Sequence, residues 1–258
     1  MSRTIPGAGS PVVRRTTHTV TRALRRAGVD VRRVRATPAT VDRSAYTAEA
    51  AAINARHQRQ TLDAVSALEA AYREPVFGEV RVWWLVEQLA QCIDPTDCRL
   101  FCTSQQTHVL QILAGMERDG VDDPDLLLVA LIHDLGKVLL LTGEDPANVV
   151  CLNRPIGTPE PGVGLDQVTF QWNHDQFGFD RFRPHVPDHV AWMVRHHSID
   201  IDACAPLMDD RDRRWTEQYL RVFSTYDHGT KSPYHLPPRP ISDYRDIVEQ
   251  AFPDPIAF

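Results

Sequence analysis

Lysine is almost missing from this chain: of its 28 basic residues, only Lys137 and Lys231 are lysines and the rest are arginine. Where arginine is the default cation, a lysine marks a place that needs a compact ammonium rather than a planar fork. Cysteine is scarce as well. The five residues (Cys92, Cys98, Cys102, Cys151, Cys204) are odd in number and contain no CxxC pair. That argues against a disulfide framework and a zinc–thiolate site, and suits a reducing, cytoplasmic setting. Long apolar runs are missing too: the longest, Leu126 to Ile132, is far too short to span a bilayer, so no membrane is expected. No compact apolar stretch near the start precedes a small-residue cleavage site, so no secretory signal is expected. Alternating strand patterns and internal repeats are likewise absent.

Acidic residues are nearly absent from the first forty positions, which hold nine arginines against Asp30 alone. This formal +8 leaves −14 for the remainder of a chain whose net charge is −6. Residues 1–40 read as a basic, disordered leader. A transit peptide or nucleic-acid arm is the alternative, but no aromatic pattern accompanies the arginines, so no nucleic-acid partner is expected. Residues 41–258 read as a single monomeric domain, long enough to bury a real core.

What is there is helical. Apolar residues recur at three- and four-residue steps from Ser44 to Tyr72. Further helices are expected over Val80–Gln91, Ser104–Arg118, Thr169–Phe177, Pro187–His197 and Arg213–Tyr226. Residues 143–169, rich in proline and glycine, read as one long loop. The proline-rich tail after Lys231 reads as a surface wrap. Most informative is the segment from Asp123, a plausible N-cap before Pro124, to Gly143, a plausible stop. Between them lies LLLVALIHDLGKVLLL, apolar on nearly every face, so this helix is expected to be buried all round. His133, Asp134 and Lys137 nevertheless sit in its middle. Burying such groups unpaired costs several kcal/mol each, on the order of what one partner or a metal returns, so they need one or the other.

Other histidines and acids fall on inward-facing stripes. His108 shares a face with Gln105 and Ile112, His197 with Val190, Met193 and Val194, and Asp227 ends a stripe of Tyr219, Leu220 and Phe223. His174 sits in a WNHD segment. Each histidine alone is more often structural than a ligand. Several helices each offering an inward ligand to one centre are harder to explain that way. Spacing alone does not choose between His196 and His197.

The His133-Asp134 pair is the dipeptide that names HD-domain proteins. In order, the runs TH, LIHDLGKVL, VV, PIG, WNHD, RHHS and YDHGTK resemble the myo-inositol oxygenase family over roughly residues 57–240. The resemblance implies an all-α HD-domain helical bundle holding a mixed-valent Fe(II)/Fe(III) pair, with O2 as co-substrate. It implies that His108, His133 and Asp227 bind one iron, that His174 and His197 bind the other, and that Asp134 bridges them. Substrate contacts implied are Lys137, Ser198, Lys231 and the His174 side of the centre. Lys137, one turn after His133 on the same face, would be the catalytic cation. A ligand set of imidazoles and carboxylates without thiolate suits iron or manganese better than a closed zinc site.

Two departures from the family matter. Its Gly-Asp pair after VV, which binds polyol hydroxyls, is Cys151-Leu152 here, and an upstream substrate-binding acid falls near Gln91. The expected reaction is therefore oxidative C–C cleavage of a small polar alcohol: a cyclitol, a sugar or a relative, with myo-inositol one candidate. An HD-type phosphohydrolase, with Arg154 near the loop for a phosphate, is the alternative. A non-catalytic protein working through its basic leader is the third reading.

Overall fold

The computed structural model describes residues 43–258, so the leader expected over 1–40 lies outside the described residues. The run expected as one helix from Ser44 to Tyr72 is two, α1 (Arg43–His57) and α2 (Leu62–Ala71). The break comes where Thr61 turns its hydroxyl to accept from Ala64 N–H and starts α2 afresh. A two-residue strand β1 (Glu79–Val80) precedes α3 (Val82–Gln88), which tightens into a 3-10 turn through Gln91. Ser104 caps α4 (Gln105–Arg118), and Asp123 caps α5 (Pro124–Ile132), with Pro124 in the first turn.

Here the structure corrects the sequence. The segment from Asp123 to Gly143 is not one helix: α5 ends at Ile132, and a 3-10 helix runs from Leu135 to Thr142 before Gly143 stops it at φ 89°. Asp134 sits at the junction with φ −96° and ψ 4°. With three residues per turn beyond it, Lys137 stacks over Asp134 rather than over His133, and its N–H donates to Asp134 C=O at 2.9 Å.

Four α-helices follow before α10: α6 (His174–Phe182), α7 (Asp188–His196), α8 (Ile201–Cys204) and α9 (Asp210–Trp215). A π-helical turn, Thr216–Leu220, joins α9 to α10 (Arg221–Gly229). The helix expected from Thr169 starts only at His174. Asn173 caps it by accepting from Asp175 N–H, and Phe170 is used to bridge Pro155 instead. The tail is more than a wrap. It carries α11 (Arg245–Ala251) and β2 (Ile256–Ala257), which pairs antiparallel with β1, Glu79 opposite Ala257. Val248 and Phe258 are fully buried, and Phe258 packs edge-on against Phe177 of α6.

That pair of strands is the only sheet among the described residues, and the architecture is the all-α bundle expected. Its core is built around α5, where Val129 through Ile132 are fully buried. No described helix is long and apolar enough to cross a membrane. The long Pro/Gly loop is held in place at several points: Asn153 N–H donates to Ser198 C=O at 3.1 Å, and Asn153 bridges Ile199.

Candidate metal centre

Five elements converge at the α5 junction. His108 comes from α4, His133 and Asp134 from the end of α5, His174 from the first position of α6, His197 from the end of α7 and Asp227 from α10. All six are buried. The two oxygens of Asp134 face different ways. Oδ1 stands 3.1 Å from His174 Nε2 and 3.5 Å from His197 Nε2. Oδ2 stands 3.3 Å from His133 Nε2 and 4.0 Å from His108 Nε2. Asp227 Oδ1 lies 2.8 Å from His108 Nε2.

Three of the imidazoles are fixed from behind by main-chain carbonyls. His133 Nδ1 reaches Ala130 O at 3.1 Å, His174 Nδ1 reaches Val149 O at 2.5 Å, and His197 Nδ1 reaches Val194 O at 2.9 Å. A carbonyl only accepts, so each Nδ1 carries a hydrogen, and in the neutral ring each Nε2 turns its lone pair to the centre. This arrangement is how metal-binding histidines are oriented. It also tests whether a metal fits. His174 Nε2 and His197 Nε2 are 3.3 Å apart, and His133 Nε2 is buried with no hydrogen-bond partner. Ring nitrogens so crowded need a positive charge among them, a proton or a metal. The donor set therefore fits metal ions, as two buried groups, His108–His133–Asp134 and Asp134–His174–His197, that share Asp134.

Titration follows the same geometry. Burial and the Lys231 ammonium press His108 down to about 4, which leaves it neutral and ready to ligate at neutral pH. His197 goes the other way. Burial lowers it, but the Asp175 and Asp134 carboxylates outweigh that and raise it to about 9. Asp134 and Asp227, despite burial, are held well below the usual carboxylate range by His133 and Lys137 in the first case and by Lys231 and His108 in the second. A metal binding at His197 must displace its proton. Affinity on that side is therefore expected to rise about tenfold per pH unit up to about pH 9 and then level off. Competition with a chelator across that range checks this; a flat profile would contradict it.

The centre opens into a cavity of about 380 Å³ lined by Lys137, Lys231, Ser198, Asp94, Asp97 and Leu152, among others. Lys137 donates to Asp134 Oδ2 at 3.0 Å, Asp94 Oδ2 at 3.1 Å and Gln105 Oε1 at 3.1 Å, so each of its three hydrogens has an acceptor. Lys231 pairs with Asp97 at 2.8 Å and with Asp227 at 3.6 Å. The two lysines of the chain thus each link an acid of the 94–97 turn to an acid of the centre.

Of the sequence candidates, all six ligand positions meet here, and Lys137, Lys231 and Ser198 line the adjoining cavity. His196 turns away to pack against Trp192 and Phe170, with Asp166 3.7 Å from its Nε2. Gln91 bonds to Gln88 at the surface and does not line the cavity; Asp94 and Asp97 do. Sequence reading missed those two because neither lies on a periodic stripe. It also missed Asp175, fully buried beside His174, although the WNHD run contains it. Leu152 is 56% exposed at the cavity and offers no acceptor.

A model of the myo-inositol oxygenase family matches residues 48–157 and 145–258. The chain belongs to the myo-inositol oxygenase family. It is thereby an oxidoreductase of the inositol oxygenase type. Its relatives include a probable inositol oxygenase of Oryza sativa subsp. japonica, 29% identical over 237 residues that cover 76% of each chain. Inositol oxygenase 2 of Arabidopsis thaliana is 29% identical over 77% of this chain and 74% of its own. The Homo sapiens inositol oxygenase is 26% identical over 69% of this chain and 74% of its own.

Proposed function

We propose that this protein is an O2-dependent oxygenase that holds two irons and cleaves a C–C bond of a cyclitol, a sugar or a related polar alcohol. The observation that carries the reading is the division of Asp134: one oxygen faces His108 and His133, the other faces His174 and His197. One carboxylate addressing two histidine pairs is what a two-metal centre requires, and a single-metal site has no use for it. His108, His133 and Asp227 would hold one iron and His174 and His197 the other, with Asp134 between. A mixed-valent iron pair supplies O2 activation and the means to take hydrogen from carbon. Cleaving a vicinal diol with one O2 balances as an aldehyde, a carboxylic acid and one water.

The protein's own part is binding and electrostatics. Lys137, held charged by its carboxylates although burial opposes it, faces the cavity beside Asp134 and stabilises negative charge developing on a substrate oxygen. Ser198 and Lys231 provide further polar contacts on the cavity wall. Leu152 leaves one stretch of that wall without a hydroxyl acceptor, which favours a substrate less hydroxylated there. Lys137→Met is expected to keep both metals and lower turnover about 10²- to 10³-fold. Metal content and initial rates on one preparation check this; wild-type turnover would remove Lys137 from the chemistry.

The deciding experiment is metal analysis with Mössbauer spectroscopy on protein purified without oxygen, followed by O2-uptake assays with myo-inositol and a panel of polyols. Two irons per chain and stoichiometric O2 consumption are expected. One zinc, or an iron-loaded protein inert to O2 with every alcohol tried, would overturn the reading. Phosphoester hydrolysis is less well supported: Arg154 does not line the cavity.

A further inference from the structure

Asp175 follows His174 in the first turn of α6 and is fully buried. Ordinary reasons account for one of its oxygens. Oδ2 accepts from Asn153 Nδ2 at 2.9 Å and from the Ser198 hydroxyl, and the residue's own N–H donates to the Asn173 cap at 2.8 Å. The other oxygen is unaccounted for. Oδ1 is buried with no hydrogen-bond donor and stands 3.0 Å from His174 Nε2 and 3.6 Å from His197 Nε2. Those are the two nitrogens whose lone pairs are turned inward by Val149 and Val194. An unpartnered carboxylate oxygen beside those nitrogens calls for a positive charge, a proton on His197 or a metal cation that displaces it.

The spacing says where that cation goes. Donors bound about 2.1 Å from a metal at neighbouring octahedral positions lie roughly 3.0 Å apart. The two nitrogens are 3.3 Å apart, Asp134 Oδ1 is 3.1 and 3.5 Å from them, and Asp175 Oδ1 is 3.0 and 3.6 Å from them. Asp175 therefore meets the same distance criterion as Asp134. We propose that Asp175 is a protein ligand of the metal on the His174/His197 side in the substrate-free enzyme, and that substrate engaging Ser198 releases it. This rests on the two-metal reading above. Ser198 has a single hydroxyl hydrogen, and it is spent on Asp175 Oδ2. A substrate oxygen that takes this hydrogen removes one of the two side-chain tethers holding the carboxylate. The carboxylate thus covers the metal until substrate arrives.

The test is Asp175→Asn, nearly the same shape and still able to accept from Ser198. Chelator competition with Fe(II) is expected to show one of two metals bound more than about 100-fold more weakly, beyond what losing an outer-shell brace costs. The substrate-free Mössbauer spectrum should change at one iron, while the spectrum with saturating myo-inositol should superimpose on wild type. Asn153→Ala, which removes a tether and leaves Oδ1, should keep the affinity of both metals. Unchanged affinity and an unchanged substrate-free spectrum in Asp175→Asn would overturn the proposal and leave Asp175 as a brace for Ser198. If that variant does not fold, a crystal structure of wild-type protein soaked with Mn(II) decides: Oδ1 is expected at bonding distance, about 2.1 Å, and a metal more than about 3 Å from Oδ1 overturns the inference. Wild-type protein that takes up a single metal would instead sink the two-iron reading itself.

Discussion

Asp134→Ala is expected to yield a protein that retains neither metal and has lost at least about 10³-fold in turnover. Among the described residues no other side chain has one oxygen toward each histidine pair, so no described neighbour inherits both tasks. The same change strips Lys137 of one of its two carboxylate partners, leaving Asp94. Breaking a buried pair in this way costs roughly 3–5 kcal/mol, so the metal-free variant should also melt below metal-free wild type. Inductively coupled plasma analysis and calorimetry on the two metal-free proteins separate the effects. Retention of two irons by the variant would show that the division of Asp134 between histidine pairs is not what assembles the centre.

Gly136→Ala is expected to be nearly as damaging, although glycine has no chemistry to lose. A Cβ at 136 would lie 2.4 Å from His174 O, 2.9 Å from its Cβ and 3.0 Å from its carbonyl carbon. Two of those are main-chain atoms, which cannot rotate aside. Overpacking of this kind costs about 1–3 kcal/mol or more, and about 3 kcal/mol corresponds to a fall of roughly 6–12 °C in Tm for a domain of this size. Because the displaced atoms belong to His174, the metal on its side should weaken as well. Gly229→Ala meets nothing within 4 Å and serves as the control, with little expected change in Tm. A Gly136→Ala protein that melts with wild type would mean that α6 can slide without consequence.

These two residues also mark how far the sequence could be read. His133, Asp134 and Lys137 stood out because charge in an all-apolar helix is a physical contradiction, and the buried centre resolves it. His108, His197 and Asp227 were legible as inward positions and His174 only through the WNHD run of the resemblance, and the structure brings them together. The break at Asp134 was not legible. Gly136 weakens a helix, but a single glycine inside an apolar run is tolerated too often to announce a break, and only the structure shows the chain tightening there. Asp94 and Asp97 escaped notice because residues on a turn have no period to betray them. Asp175 was hidden by an ordinary alternative, since acids are common in a helix's first turn. The tail misled through its prolines: α11 and β2 are short, and Phe258 is buried by partners more than 70 residues away.

The scarcity of lysine has a practical side. Both side-chain amines of this protein sit on the wall of one cavity, in ion pairs, with side-chain exposures of 6% and 12%. Reagents that seek lysine side chains therefore find none outside that cavity. An aldehyde or activated ester small enough to enter can modify only these two lysines, and slowly, because their carboxylate partners keep both protonated; protection by a bound ligand would report occupancy of the cavity.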